Sequence, residues 1–133
     1  MFKLKNKVAI IIPLENNAGE KIEDTKIDNE IKLITSKFGG CSVTENEGFW
    51  VSNATESLMI DKNKNYEWYF DKMNLEVIDS ISTIVELLIN QHHQECISII
   101  YSNNLCLVEN RDDVVKVLSQ TALDELNQML IKN

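Results

Sequence analysis

The sequence predicts an α+β fold built on one antiparallel sheet, and three observations carry that expectation. The apolar residues change period along the chain, from a continuous β-branched run, to helical spacing, to a period of two, and back to helical spacing. Polar or glycine-containing breaks separate these stretches at strand and helix lengths. The 133 residues, 44% hydrophobic and 26% charged, suit one compact domain, with a core over 7–101 and a C-terminal strand and helix over 105–132.

Taken in order, Lys7 to Leu14 is a β-branched and aliphatic run of the kind buried on both faces of a sheet, and it is expected to be the central strand. Asn16, Asn17 and Gly19 form a polar loop. Thr25-Lys26-Ile27-Asp28 then has capping-box spacing, so a helix is expected from Thr25 with Ile27, Ile31, Ile34 and Phe38 on one face. Gly39-Gly40 ends it, because glycine readily adopts the left-handed conformation after a last helical turn.

From Cys41 to Phe70 the spacing favours extended chain. Gly48 is a candidate bulge and Lys62 to Asn65 a candidate turn, which leaves two long strands and a three-strand meander both open. Leu75 to Gln91 is a second helix with Ile78, Ile81, Ile84, Val85 and Leu88 inward. Cys96 to Tyr101 and Leu105 to Val108 read as a hairpin, and Asp112 to Lys132 as a third helix. The resulting order, βαββαβ plus a strand and a helix, is that of a ferredoxin-like sheet with two helices on one face and additions that either cover an exposed edge or build a dimer surface.

Charge narrows the partners. Thirteen basic against twenty-one acidic residues leave a formal net charge of -8, which disfavours general nucleic-acid binding, where lysine and arginine must neutralise phosphates. The longest apolar run, Val8 to Leu14, is strand-sized, so neither a membrane span nor a secretory segment is expected, and a cytoplasmic setting is. Three dispersed cysteines, Cys41, Cys96 and Cys106, agree with a reducing compartment and form no zinc or redox motif.

Phe38-Gly39-Gly40-Cys41-Ser42-Val43, then Gly48-Phe49-Trp50, and later Gln94-Glu95-Cys96-Ile97 resemble the F-G-G-x-T/S-V, G-x-W and Q-E-S/C-V/I segments of a family of small bacterial proteins of unknown function. The resemblance spans about residues 7 to 101, implies a ferredoxin-like fold and implies no established activity. It departs after Trp50, where the family places a glycine turn and Ser52 to Glu56 has none.

Candidate chemistry is sparse. His92 and His93 sit beside Glu95 and Cys96, but adjacent histidines on a helix diverge by about 100° instead of gripping one ion. Capping of a helix C-terminus, favoured by the helix dipole, is preferred to metal ligation, and no cofactor or metal is expected. A cysteine nucleophile would need His92 or His93 to approach Cys96 or Cys41, whereas cysteines in strand-like segments usually serve as small buried hydrophobes. Glu45 with Glu47, Glu23 with Asp24, and Asp112 with Asp113 read as solvated, and no phosphate loop or calcium loop is present.

Aromatic residues cluster in mid-chain. Alternation puts Tyr66, Trp68 and Phe70 on one sheet face and Glu67 and Tyr69 on the other. Trp50, Glu67 and Tyr69 are therefore the candidate contact residues. An acidic surface with aromatic anchors leads to the expectation of a non-enzymatic binding module, of inhibitor or immunity type, with a protein partner preferred to a small molecule and homodimer formation left open. The alternatives are a dimeric small-ligand sensor, by fold analogy, and a small enzyme or metal protein using His92, His93 and Cys96.

Overall fold

The computed structural model of the chain describes residue 1 and residues 3–119. Strand β1 (Asn6–Pro13) is followed by helix α1 (Thr25–Phe38), the hairpin β2 (Ser42–Val51) and β3 (Leu58–Phe70), helix α2 (Leu75–Asn90), and the hairpin β4 (Ile97–Tyr101) and β5 (Asn104–Val108). A third helix, α3, is described over 111–119. The remainder of the segment expected to be helical, 120–132, lies outside the described residues.

The five strands form one antiparallel sheet in the order β2-β3-β1-β4-β5. Helix α1 carries the chain from β1 past β3 to β2, and α2 carries it from β3 past β1 to β4. This is the ferredoxin-like arrangement the sequence predicts, with β5 added at the β4 edge. Strand β1 is central, and Val8, Ala9 and Ile10 are each fully buried.

One face of the sheet carries the core. Val8, Ile10 and Ile12 of β1, Trp68 and Phe70 of β3, and Ile97, Ile99 and Tyr101 of β4 meet Ile27 and Ile34 of α1 and Ile78, Ile81, Ile84, Val85 and Leu88 of α2. Val114 and Leu118 join the same cluster, so α3 also packs on this face. The buried Trp68 indole keeps a polar partner by donating from Nε1 to the Thr35 hydroxyl at 3.0 Å, and Phe38 stacks on Phe70 at 4.7 Å. On the opposite face Tyr69, Leu105 and Leu107 are exposed.

Several local expectations are corrected. Lys62 to Asn65 form no turn; they run through the middle of β3, and Gly48 pairs one-to-one with Asp61 without a bulge. The reason is cross-strand charge: Lys62 lies opposite Glu47 and Lys64 opposite Glu45, so a composition typical of loops becomes a complementary ladder. The turn falls instead at residues 52–57, closed by the Ser52 N–H donating to the Ser57 carbonyl at 3.0 Å. Two long strands are thus the outcome. Helix α1 is capped by Asp24, whose carboxylate accepts from the Lys26 N–H at 2.9 Å, and not by a Thr25–Asp28 box. A carboxylate suits this position because it accepts from orphan N–H groups and faces the positive end of the helix dipole.

Candidate functional site

The strands of the hairpin β2–β3 outlast their neighbour. Pairing between β1 and β3 stops at Pro13 opposite Asn63, whereas β3 pairs with β2 as far as Leu58 opposite Val51. Beyond Pro13 the chain makes one more contact with β3, Leu14 N–H to the Lys62 carbonyl at 2.9 Å, and then leaves. Its departure is built by a polar loop. The Asn16 side-chain oxygen accepts from the Ala18 and Glu20 N–H groups, the backbones of Glu15 and Lys21 pair in an isolated antiparallel β-bridge, and Gly19 takes a φ of 80° that glycine adopts without strain.

The departing loop and the projecting ribbon enclose a groove of about 460 Å³. Trp50, Met59, Ile60, Asp61 and Lys62 form one wall, Glu15, Asn16, Asn17 and Gly19 the other, with Pro13 and Gln94 completing the lining. Trp50 is opposite Met59 in the ribbon and shares a face with Asp61. Its indole is half exposed, yet Nε1 donates to the Asp61 carboxylate at 2.7 Å, which fixes the ring at the groove. The wall therefore offers an oriented aromatic plane, a thioether, carboxylates and amides, the composition of a site for a polar ligand with a flat apolar part.

A smaller hollow of about 150 Å³ adjoins it across Pro13, at the start of α1. Lys64, Tyr66, Asp28, Glu23 and Asp24 contribute its polar lining. Burial pushes the Tyr66 phenol above its ordinary range, with the negative charge of Asp28 adding to the effect, so the phenol is a hydrogen-bond donor near neutrality. Asp24 is held below the usual carboxylate range, chiefly by its hydrogen bond with His92. The His92 Nε2 to Asp24 Oδ2 distance is 2.9 Å and both side chains are largely buried.

The residues singled out by sequence are not brought together. Trp50 lines the groove, but Glu67 and Tyr69 lie farther along β3, Glu67 roughly 26 Å from the Trp50 level at the usual strand rise. Glu67 is engaged by Lys7 at 3.8 Å and by the Asn65 amide at 3.2 Å, and Tyr69 is exposed opposite Lys7. His92 does not cap its own helix as expected. Helix α2 ends before it, and its ring reaches the cap residue of α1, a partner 68 positions away that no local rule identifies. His93 follows in a left-handed conformation.

Cys41 and Cys96 each precede a strand, and Cys96 is exposed, contrary to the expected burial. Desolvation raises both thiols, and Glu109 and Glu95 raise Cys96 further, so neither is poised as a thiolate. Among the described residues no three His, Cys, Asp or Glu side chains are grouped to hold a metal ion, and no helix is long and apolar enough to cross a membrane. Of the residues lining the groove, sequence reasoning singled out Trp50 and not Asp61, Met59, Asn16 or Gln94, because their convergence follows from strand register and loop path. The polar composition of the 15–19 loop was the one available signal.

No protein family and no curated protein matches the chain in sequence. The fold does have solved counterparts. A phage SAM lyase in complex with S-methyl-5'-thioadenosine superposes with a TM-score of 0.55 at 8% identity, over 81% of this chain and 92% of that one. A phage SAM lyase in the apo state gives a TM-score of 0.49 at 14% identity, over 81% and 94%. The first match shares the fold. It also overturns the expectation of a non-enzymatic module for which a protein partner outranks a small molecule: the protein sharing the fold is an enzyme, and what its structure holds is a small nucleoside. Composition reports charge and aromatic content, and it does not report where loop and ribbon close around a hollow.

Proposed function

We propose that this chain is a small-molecule enzyme whose groove takes an adenosyl sulfonium compound of the S-adenosylmethionine class. The observation that carries the reading is the Trp50 indole, fixed by Asp61 on the wall of a groove of about 460 Å³. A nucleoside needs a flat apolar surface with a few polar groups to orient it, and here the indole, Met59 and the amides of Asn16, Asn17 and Gln94 provide both. A sulfonium is a cation that cannot donate a conventional hydrogen bond, so it is held by negative charge and aromatic faces. Glu15 and Asp61 place carboxylates at the groove. The fold match to a protein whose structure holds S-methyl-5'-thioadenosine supports the ligand class.

The neighbouring hollow supplies hydrogen-bonding groups beside the groove. The Tyr66 phenol, which burial and the charge of Asp28 push above its ordinary range and so keep as a donor, faces the same space as Lys64 and Asp28. His92, His93 and Cys96 are not assigned chemistry, since the His92 ring is committed to Asp24 and the Cys96 thiol is held protonated.

The test is incubation of the protein with S-adenosylmethionine, with chromatographic detection of S-methyl-5'-thioadenosine and a thermal melt in parallel. Release of the thionucleoside together with a raised midpoint is expected, and Trp50→Ala lowers both responses. Binding without turnover would replace the enzyme by a ligand-binding role. Failure to bind either compound removes the reading altogether.

A further inference from the structure

The wall formed by β3 contains an open stretch of main chain. In an antiparallel pair the N–H and C=O of one residue point to the same side, and every second residue repeats that side. The Lys62 carbonyl faces the β1 side, where it accepts from the Leu14 N–H at 2.9 Å, so the N–H and C=O of Ile60 and the N–H of Lys62 face that side as well. Pairing is one-to-one through both ladders of β3, with no bulge to reset the alternation. Past Leu14 the chain has turned into the loop that forms the opposite wall. Among the described residues no backbone or side-chain partner reaches these three groups.

The edge therefore presents a donor, an acceptor and a donor in sequence, directed into the groove beside Trp50. We propose that this strip reads the amino edge of an adenine base, the exocyclic amino group donating to the Ile60 carbonyl and the adjacent ring nitrogen accepting from one of the flanking N–H groups. The inference rests on the adenosyl reading above and deepens it by naming what selects the base. A donor next to an acceptor on the ligand is met by an acceptor next to a donor on the strand. Hypoxanthine, with a carbonyl and a protonated ring nitrogen at those positions, presents the reverse order. In the register that stacks the base on Trp50 it would set a carbonyl against the Ile60 carbonyl and an N–H against an N–H, and reaching the other flanking N–H would require sliding the base along the strand. A site built for one pattern rejects the other because its own polar groups are then left unpaired. Ile60 is an exposed side chain on an otherwise regular strand, so the reader is its backbone and not its side chain.

Isothermal titration of the protein with S-methyl-5'-thioadenosine, its 6-oxo (inosine) counterpart and its N6,N6-dimethyl derivative tests this. The expected result is a Kd weaker by about tenfold or more for both altered bases, as the loss of a paired donor and acceptor implies. Leu105→Ala, exposed on β5 at the far edge of the sheet, should leave the adenine Kd within about threefold. Trp50→Ala should weaken all the nucleosides that bind, without restoring the 6-oxo compound. Binding of the 6-oxo compound within threefold of the adenine compound would overturn base reading while leaving the adenosyl groove standing. Binding of none of the three would fell both together.

Discussion

Two tryptophans show how one residue type serves opposite ends. Trp68 is fully buried and its indole N–H is satisfied by Thr35. Trp68→Ala should cost about 3–5 kcal/mol, measured by urea denaturation, because a large cavity opens beneath α1. Thr35→Val keeps the shape but leaves the buried N–H without an acceptor, and a loss of about 1–3 kcal/mol is expected in the same measurement. Trp50, half exposed on a two-stranded ribbon, should behave differently: Trp50→Ala should shift the urea midpoint little, with a loss of about 0.5 kcal/mol or less, while lowering the midpoint rise on adding nucleoside. A large stability loss in that variant would place Trp50 in the packing instead of the groove.

The pair of Asp24 and His92 ties two elements, since one caps the start of α1 and the other follows the end of α2. Asp24 titrates below its ordinary value of 3.8 in the folded protein, principally through the His92 hydrogen bond, with burial opposing and the Lys26 N–H assisting. A carboxylate whose folded pKa is depressed contributes stability that is complete above its unfolded pKa and is lost as pH falls through the folded one. Wild type should therefore lose this contribution only below about pH 4. Asp24→Ala removes cap and pair together and should cost roughly 0.5–2 kcal/mol at pH 7. Asp24→Asn keeps the cap and loses the titration, so its stability should be flatter than wild type in the acid range. Equal acid dependence in the two proteins would show that the pair contributes nothing. Arg111 makes a second tie, to Asp79 and Glu86 of α2, each at 2.6 Å. Because these partners are substantially exposed, solvent screening keeps the effect of Arg111→Ala to about 1 kcal/mol or less.

Across the molecule, stability follows the sheet order. Strand β1 has a neighbour on each side and helices over one face, so the amides of Val8–Ile12 should exchange slowest with deuterated water. The ribbon beyond Pro13 has only its hairpin partner, and Phe49, Val51, Leu58 and Ile60 are all well exposed there. The amides of Ile60 and Lys62, which face the open side of the strand, should exchange fast in the free protein and slow when S-methyl-5'-thioadenosine is added. Protection confined to other regions would place the ligand elsewhere. The same global view explains why a net charge of -8, taken by itself, points to a partner-binding surface. Charge is a property of the whole surface, while the groove depends on a few residues that converge.

The elements were legible in the sequence wherever burial imposes a period. Ile27 and Ile34 on α1, Ile78, Ile81, Val85 and Leu88 on α2, and the all-apolar β1 each report the environment one element faces, and that is locally encoded. Alternation likewise sorted Trp68 and Phe70 inward from Tyr69. Tertiary structure alone decided what depends on pairing between distant segments. It set the register that puts Lys62 and Lys64 against Glu47 and Glu45, the reach of His92 to Asp24, and the overhang of β3 beyond β1 that opens the groove beside Trp50. These are relations between side chains and strand ends far apart in the chain, and local periodicity carries no record of them.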